Sequence, residues 1–130
     1  MTTKKQFENT ITWFDIPVTD IQRAKIFYET ILETELQIIT FPNGLKIAVF
    51  PSLENSVTGA LAEHKDHYFP STNGSLVYLN GNPDLQTIVD KVEKAGGKIL
   101  LPKSLISEHW GFMALLLDSE GNRVALHSKK

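Results

Sequence analysis

The chain contains no cysteine, and this absence excludes several kinds of chemistry together. Disulfide bridges, thiolate metal ligands and a cysteine nucleophile all require that residue. Long apolar runs are missing as well, since the longest, residues 112–117, is far shorter than the roughly 20 residues that span a bilayer. We therefore predict no membrane partner, and a chain of 130 residues that folds around an ordinary apolar core.

An excess of charge is also lacking. Lys and Arg number 13 against 15 Asp and Glu, which gives a net charge of −2 without any basic cluster. Nucleic-acid binding requires such a cluster, so we predict no nucleic-acid partner. Residues 1–10 include lysines but no apolar segment follows them, unlike a secretory signal. We therefore expect a cytoplasmic protein.

The residues that are present indicate one globular domain over residues 1–130, because 42% are hydrophobic and 22% are charged. In the first half, residues 11–18 predict a strand, and Asp20 is a suitable N-cap for a helix that ends near Leu32. The turn Pro42-Asn43-Gly44 joins two apolar runs and predicts a hairpin. With a further strand at 58–63, this module occupies about residues 8–66.

The second half repeats the same order after a polar linker at about residues 63–74. A strand at 75–80 precedes Asp84, which is the second predicted N-cap, and a helix whose apolar face is Leu85, Ile88, Val92 and Ala95. Three strands follow, at 98–102, 111–118 and 123–128. We therefore predict an α+β fold of two tandem βαβββ modules, the second at about residues 75–130.

Three segments carry a resemblance to a known family: "IPVTDIQRAKIFYETIL", "VEKAGGKIL" and "LDSEGNRVALH". In this order and spacing they resemble the glyoxalase, bleomycin-resistance and extradiol-dioxygenase superfamily, also called vicinal oxygen chelate proteins. The "GAL" strand followed by "FPSTNGSLVYLN" is most similar to a glyoxalase-like subgroup. The resemblance implies a curved, mostly antiparallel sheet around a central cavity, usually with a divalent metal. Members include lyases, dioxygenases and drug-binding proteins, and many of them dimerise.

The resemblance also indicates where the metal ligands of the family would fall. The positions on the first strands of the two modules are Trp13 and either Leu76 or Val77, and those on the last strands are Ala60 and Ala125. None of these side chains can ligate a metal, which takes imidazole or carboxylate donors. We therefore expect no metal cofactor. A relocated site remains the alternative, with imidazoles available at His64, His67, His109 and His127.

Alternation along the strands extends these positions to other inward-facing side chains. The predicted ligand-binding set is Trp13, Asp15, Ala60, Leu76, Tyr78, Trp110, Arg123, Ala125 and His127. Within it, Asp15 and His127 are candidate catalytic groups, with Asp15 as a general base if burial raises its pKa. The competing interpretation of Asp15 is a carboxylate that accepts from a backbone or indole N–H.

Trp110 lies in the segment "SLISEHWGF", which we predict as a loop able to close over the cavity or to join a dimer interface.

Three functions are consistent with these features. The first is a protein that binds a small, partly apolar organic molecule between its modules without the family metal. The second is a lyase, isomerase or dioxygenase that uses a relocated metal or an acid–base pair of Asp15 and His127. The third is an interaction module, with a homodimer as the expected assembly.

Overall fold

A computed structural model describes residues 4–130, so the first three residues of the segment considered for a secretory signal lie outside the described part. It contains two modules with the same order of elements. The first consists of β1 (Trp13–Pro17), α1 (Ile21–Leu32), β2 (Gln37–Thr40), β3 (Lys46–Val49) and β4 (Thr58–Glu63). The second consists of β5 (Tyr78–Asn80), α2 (Gln86–Val92), β6 (Lys98–Ser107), β7 (Gly111–Leu117) and β8 (Arg123–Ser128).

Each module forms its own four-stranded sheet, with strand order β1-β4-β3-β2 in the first and β5-β8-β7-β6 in the second. The first and last strands of each module pair in parallel, and the remaining pairs are antiparallel. The parallel pair needs a crossover, which the helix of the module supplies. The predicted α+β fold of two βαβββ modules is therefore confirmed.

Helix α1 follows the prediction at its first turn. The Asp20 carboxylate accepts hydrogen bonds from the backbone N–H groups of Gln22 and Arg23, both at 3.1 Å. These groups would otherwise have no partner at a helix start. The helix ends at Glu33, which adopts a left-handed conformation with φ of 52°. The buried face is Ile21, Ala24, Phe27, Tyr28 and Ile31.

The start of α2 differs in detail from the prediction. Leu85 occupies the N-cap position with helical backbone angles, and the helix is assigned only to Gln86–Val92. Asp84 still serves the first turn, because its carboxylate accepts from the N–H of Gln86 at 2.9 Å. The predicted capping function is therefore present, but it lies one residue before the assigned cap.

Two other boundaries were wrong. Strand β5 begins at Tyr78 rather than at residue 75, and β6 continues to Ser107, through half of the segment predicted as a loop. The predicted strand ended at Pro102, and proline cannot donate a ladder hydrogen bond. β6 is an edge strand, however, and its register shifts on both sides of Pro102, so the proline is accommodated at an irregular edge.

Each helix packs against one side of the sheet of its own module. The core lies there, formed by alternate strand residues such as Ile16, Leu61, Leu79 and Leu126 together with the apolar faces of the helices. The helices also contact each other. A Cβ added at Gly97 would lie 2.8 Å from the Phe27 ring, so the close approach of the modules here requires glycine. The two modules thus contact each other within one chain.

Most of the polar contacts between the modules come from the turn between β7 and β8. The buried Tyr28 hydroxyl donates to the Asp118 carboxylate at 2.6 Å, and the Asn122 amide donates to the Pro17 carbonyl at 2.7 Å. Burial and the neighbouring Asp118 charge raise the pKa of Tyr28 well above its ordinary value. These bonds connect the end of the second module to the first strand and first helix.

Glu120 extends this joint to the start of α1. Its carboxylate accepts from the N–H groups of Thr19 and Asp20 at 3.0 and 2.9 Å, and from the Arg23 guanidinium at 2.7 and 3.0 Å. Burial opposes ionisation of this carboxyl. The hydrogen bonds from Arg23, Asp20 and other donors outweigh it, so the pKa of Glu120 lies below its ordinary value.

Candidate functional site

The strand registers relate the two modules to each other. Asp15 pairs with Ala60 in the first sheet, and Tyr78 pairs with Ala125 in the second. Val77 packs against the core, as does its counterpart Phe14. Trp13 lies two residues before Asp15, and Leu76 lies two residues before Tyr78, so Leu76 rather than Val77 is the counterpart of Trp13. The sequence left both positions open, and the register decides between them.

The sheet faces opposite the helices, here called the inner faces, carry most of the predicted ligand-binding residues. Trp13 and Tyr78 lie on these faces with 44% and 51% of their surface exposed, whereas Ala60 and Ala125 are fully buried. Ile39, on the same side of β2, is 42% exposed. The inner faces therefore present aromatic and aliphatic side chains above a floor of small residues.

Asp15 is held by two hydrogen bonds. The Trp13 indole Nε1–H donates to Oδ1 at 2.9 Å, and the Tyr68 hydroxyl donates to Oδ2 at 3.2 Å. Burial, together with the Asp15 charge and hydrogen bond, raises the pKa of Tyr68. The indole contact matches the structural interpretation of Asp15. Tyr68 was missed from the sequence, where its only signal was an aromatic residue within a polar linker.

His127 makes its contact elsewhere. One of its ring nitrogens lies within hydrogen-bond distance of the Trp110 carbonyl, at the turn between β6 and β7. Trp110 itself is exposed and its ring packs edge-on against His109 at 4.8 Å. Asp15 and His127 share no hydrogen-bond partner within the described residues. The predicted acid–base pair remains a hypothesis that these contacts do not support.

A cleft of about 100 Å³ lies at the joint between the modules. Asp15 of β1 and Arg123 of β8 both line it, so two of the predicted residues come to one place. The cleft lining includes neither Trp13 nor Tyr78 nor His127. The linker adds Ser71 and Asn73 to the polar lining, and the second module adds Ser75 and Asn122. Ser71, Asn73 and Ser75 were not singled out from the sequence.

Comparison with known families confirms the resemblance that the three sequence segments carry. The family model described as Glyoxalase/Bleomycin resistance protein/Dioxygenase superfamily matches residues 10–126. The chain belongs to this superfamily. A search of curated proteins finds no match for the chain.

Several solved structures share this superfamily's architecture at low sequence identity. TnmS3, an antibiotic binding protein from Streptomyces sp. CB03234, is 18% identical with a TM-score of 0.67, over 97% of this chain and 100% of its own. A family enzyme from Burkholderia phytofirmans PsJN is 16% identical with a TM-score of 0.64, over 92% and 98%. A glyoxalase I mutant from Zea mays is 18% identical with a TM-score of 0.64, over 90% and 46%. These likenesses show the fold.

The metal of the superfamily does not fit the residues at the expected positions. Trp13, Leu76, Ala60 and Ala125 offer no oxygen or imidazole donor. Across residues 4–130, no group of three His, Cys, Asp or Glu side chains is arranged to hold a metal ion. The closest imidazole pair, His64 and His67, has ring centroids 4.8 Å apart, with both nitrogens of His64 already near backbone groups. This donor set is unsuited to a catalytic metal centre.

Among the described residues, no helix combines the length and apolar character needed to cross a bilayer.

Proposed function

We propose that this member of the superfamily binds a small, partly apolar organic molecule on its inner faces and does so without a divalent metal. One observation carries the proposal: all four positions where relatives place metal ligands hold Trp, Leu or Ala. A site that has lost every donor has no affinity for the ion, but its shape and its apolar lining remain available to an organic ligand.

The character of the inner faces supports binding. Trp13, Ile39 and Tyr78 are each more than two-fifths exposed there, at 44%, 42% and 51%. Exposed apolar side chains on sheet faces that no helix covers are typical of ligand or protein contact sites. Asp15 and Arg123 would add polar groups that orient the bound molecule. A mostly apolar surface with a few polar groups is the usual composition of a small-molecule site.

The structural likeness to TnmS3 is consistent with this proposal. That protein is described as antibiotic binding, and it covers the same length of chain in the same fold. The fold therefore serves a binding function in at least one relative of similar architecture. A binding protein needs neither a metal nor an acid–base pair, so the contacts of Asp15 and His127 raise no difficulty.

We further propose that the working form is a homodimer. The helices cover only the outer side of each sheet, which leaves the apolar side chains of the inner faces without a helix above them. A second copy would bury part of this surface and enclose the ligand. Light scattering coupled to size exclusion should give twice the mass of 14.6 kDa. A monomer at micromolar concentration would refute the dimer without affecting ligand binding.

Thermal-shift screening with small organic molecules tests the binding proposal. Binding at 100 times the dissociation constant stabilises the folded state by about 2.7 kcal/mol, which is easily detected. We expect stabilisers whose effect persists in a chelator and is lost in Trp13→Ala. Ile26→Ala is the matched control, because Ile26 is an exposed apolar residue on α1, 62% exposed and outside the inner faces.

Two results would contradict the proposal. The first is a broad screen in which no compound stabilises the wild type more than Trp13→Ala. The second is one tightly bound divalent ion per chain in elemental analysis of protein purified without chelator. That result would favour the enzyme alternative with a relocated metal.

A further inference from the structure

The cleft at the joint between the modules contains two opposite charges that do not neutralise each other. Asp15 and Arg123 both line this space of about 100 Å³. An ion pair requires a nitrogen and an oxygen within 4.0 Å, and the ion pairs of the described chain do not include these two residues. Each charge therefore has capacity to interact with a third group in the cleft.

The Asp15 carboxylate is oriented and still able to accept. Trp13 and Tyr68 each donate one hydrogen bond, to different oxygens. An ionised carboxylate has about four lone-pair sites, so about two remain for a ligand. Since both contacts come from neutral donors, the negative charge is not compensated by them. A positively charged ligand group is the natural complement.

The Arg123 guanidinium makes fewer hydrogen bonds than the Asp15 carboxylate. Within the described residues, its guanidinium makes one long hydrogen bond, from Nη2 to the Gly74 carbonyl at 3.4 Å. A guanidinium has five N–H donors in a planar arrangement that suits a carboxylate. Ser71, Asn73 and Ser75 also line the cleft, and the Arg123 hydrogen bond to Gly74 connects the guanidinium to this segment. This side of the cleft is therefore suited to an anionic group.

The volume limits what can enter. About 100 Å³ is well below the roughly 300–1,000 Å³ of pockets that enclose a drug-sized ligand, so the cleft accommodates only part of such a molecule and the remainder must extend outward. Phe69 lines the cleft and is 65% exposed, which offers an apolar contact for that remainder. An isolated anion would be repelled by Asp15 and an isolated cation by Arg123.

We infer that this cleft binds the zwitterionic end of an amino-acid-like molecule, with its ammonium group on Asp15 and its carboxylate on Arg123. The inference rests on the proposed binding function and specifies the class of ligand and the place where its polar end would bind. The apolar side chain of such a molecule would leave the cleft past Phe69.

Isothermal titration calorimetry with L-phenylalanine and two derivatives tests the charge requirement. N-acetyl-L-phenylalanine keeps only the anion, and L-phenylalanine methyl ester keeps only the cation. L-alanine, which has the same head group and a minimal side chain, tests whether the larger side chain is excluded. We expect the free amino acid to bind wild-type protein about tenfold or more tightly than either derivative, because each derivative loses one charge-assisted contact.

Two substitutions separate the contributions. In Asp15→Asn the advantage of the free amino acid over the N-acetyl derivative should fall to about twofold or less. In Arg123→Gln the advantage over the methyl ester should fall in the same way. Glu54→Gln and Lys94→Gln are matched controls, since they remove exposed charges that do not line the cleft. They should leave both ratios unchanged, and circular dichroism should show that all four variants are folded.

The outcomes distinguish this inference from the function on which it rests. Equal affinity for the free amino acid and its derivatives would overturn it, as would ratios that do not respond to Asp15→Asn or Arg123→Gln. If neither amino acid binds while other organic molecules stabilise the protein, the zwitterion inference is wrong and the binding function stands. If no compound of any class binds, both are wrong.

Discussion

Replacing Tyr28 by phenylalanine removes a single hydroxyl from the buried joint between the two modules. That hydroxyl donates to Asp118 at 2.6 Å, and both residues are almost completely buried. The ring is retained, so no cavity forms. The loss is that of a hydrogen bond to a charged group inside the protein, about 1.5–3 kcal/mol of the free energy of unfolding.

Asp118 would keep three of its four donors in the variant. The N–H groups of Glu120 and Asn122 donate to Oδ1, and the Asn122 amide donates to Oδ2. We therefore expect Tyr28→Phe to fold but to unfold at a lower urea concentration. With a urea dependence of about 2 kcal/mol per molar, the midpoint should fall by about 1 M.

Urea titrations followed by circular dichroism measure this effect, and Tyr78→Phe provides the matched control. Tyr78 loses the same hydroxyl at a site that is 51% exposed, where a change within about 0.5 kcal/mol is expected. If the two substitutions have equal effects, the buried hydrogen bond does not stabilise the joint as argued.

The pH dependence gives a second check on Tyr28. Burial and Asp118 raise the pKa of this residue in the folded state, whereas the unfolded chain ionises it at about 10. Above that pH the unfolded state loses a proton that the folded state keeps, so wild-type stability falls. The difference in free energy of unfolding between wild type and Tyr28→Phe should therefore become smaller as the pH rises above about 10.

Three further changes test other parts of the structure. Glu120→Gln should destabilise the protein at pH 7, because the lowered pKa of Glu120 stabilises the folded state while the carboxyl is ionised. The difference in free energy of unfolding between wild type and variant should therefore shrink as the pH falls below about 4.5. Urea titrations at pH 7 and pH 3.5 measure this difference. Gly97→Ala should cost about 2 kcal/mol in thermal unfolding, because the new Cβ would lie 2.5 Å from the Leu117 carbonyl oxygen and 2.8 Å from the Phe27 ring. Asn122→Ala should lower the thermal midpoint by several degrees, because its amide bonds to the first strand, the linker and its own turn; an unchanged midpoint would show that the modules are held together without it.

Local features of the fold were predictable from short segments. The Asp20 cap and the apolar periodicity specified α1 to within a residue, because both act over one or two turns. The Pro42-Asn43-Gly44 turn specified the first hairpin, and Gly44 adopts the positive φ of 92° that the turn requires. The continuation of β6 past Pro102 was missed, because the cost of a proline depends on whether the strand lies at a sheet edge, which only the sheet order shows.

The candidate site was predictable only in part. Strand alternation placed Trp13 and Tyr78 on the inner faces, and the missing donors at the metal positions were visible directly in the sequence. Tyr68 could not be found in this way, since it reaches Asp15 from 53 positions further along the chain. Contacts of that range depend on how the linker folds back across the modules.

The sequence by itself determined the elements, their order in two modules and the absence of family metal ligands, because caps, turns and alternation act through near neighbours. Only the tertiary structure decided that Leu76 corresponds to Trp13, that Asp15 is held by Tyr68 and that Arg123 shares a cleft with Asp15. These relations join residues from different modules and the linker. The first follows from strand pairing within each module, whereas the shared cleft depends on the packing of α1 against α2 and on the turn that docks Asp118 onto Tyr28.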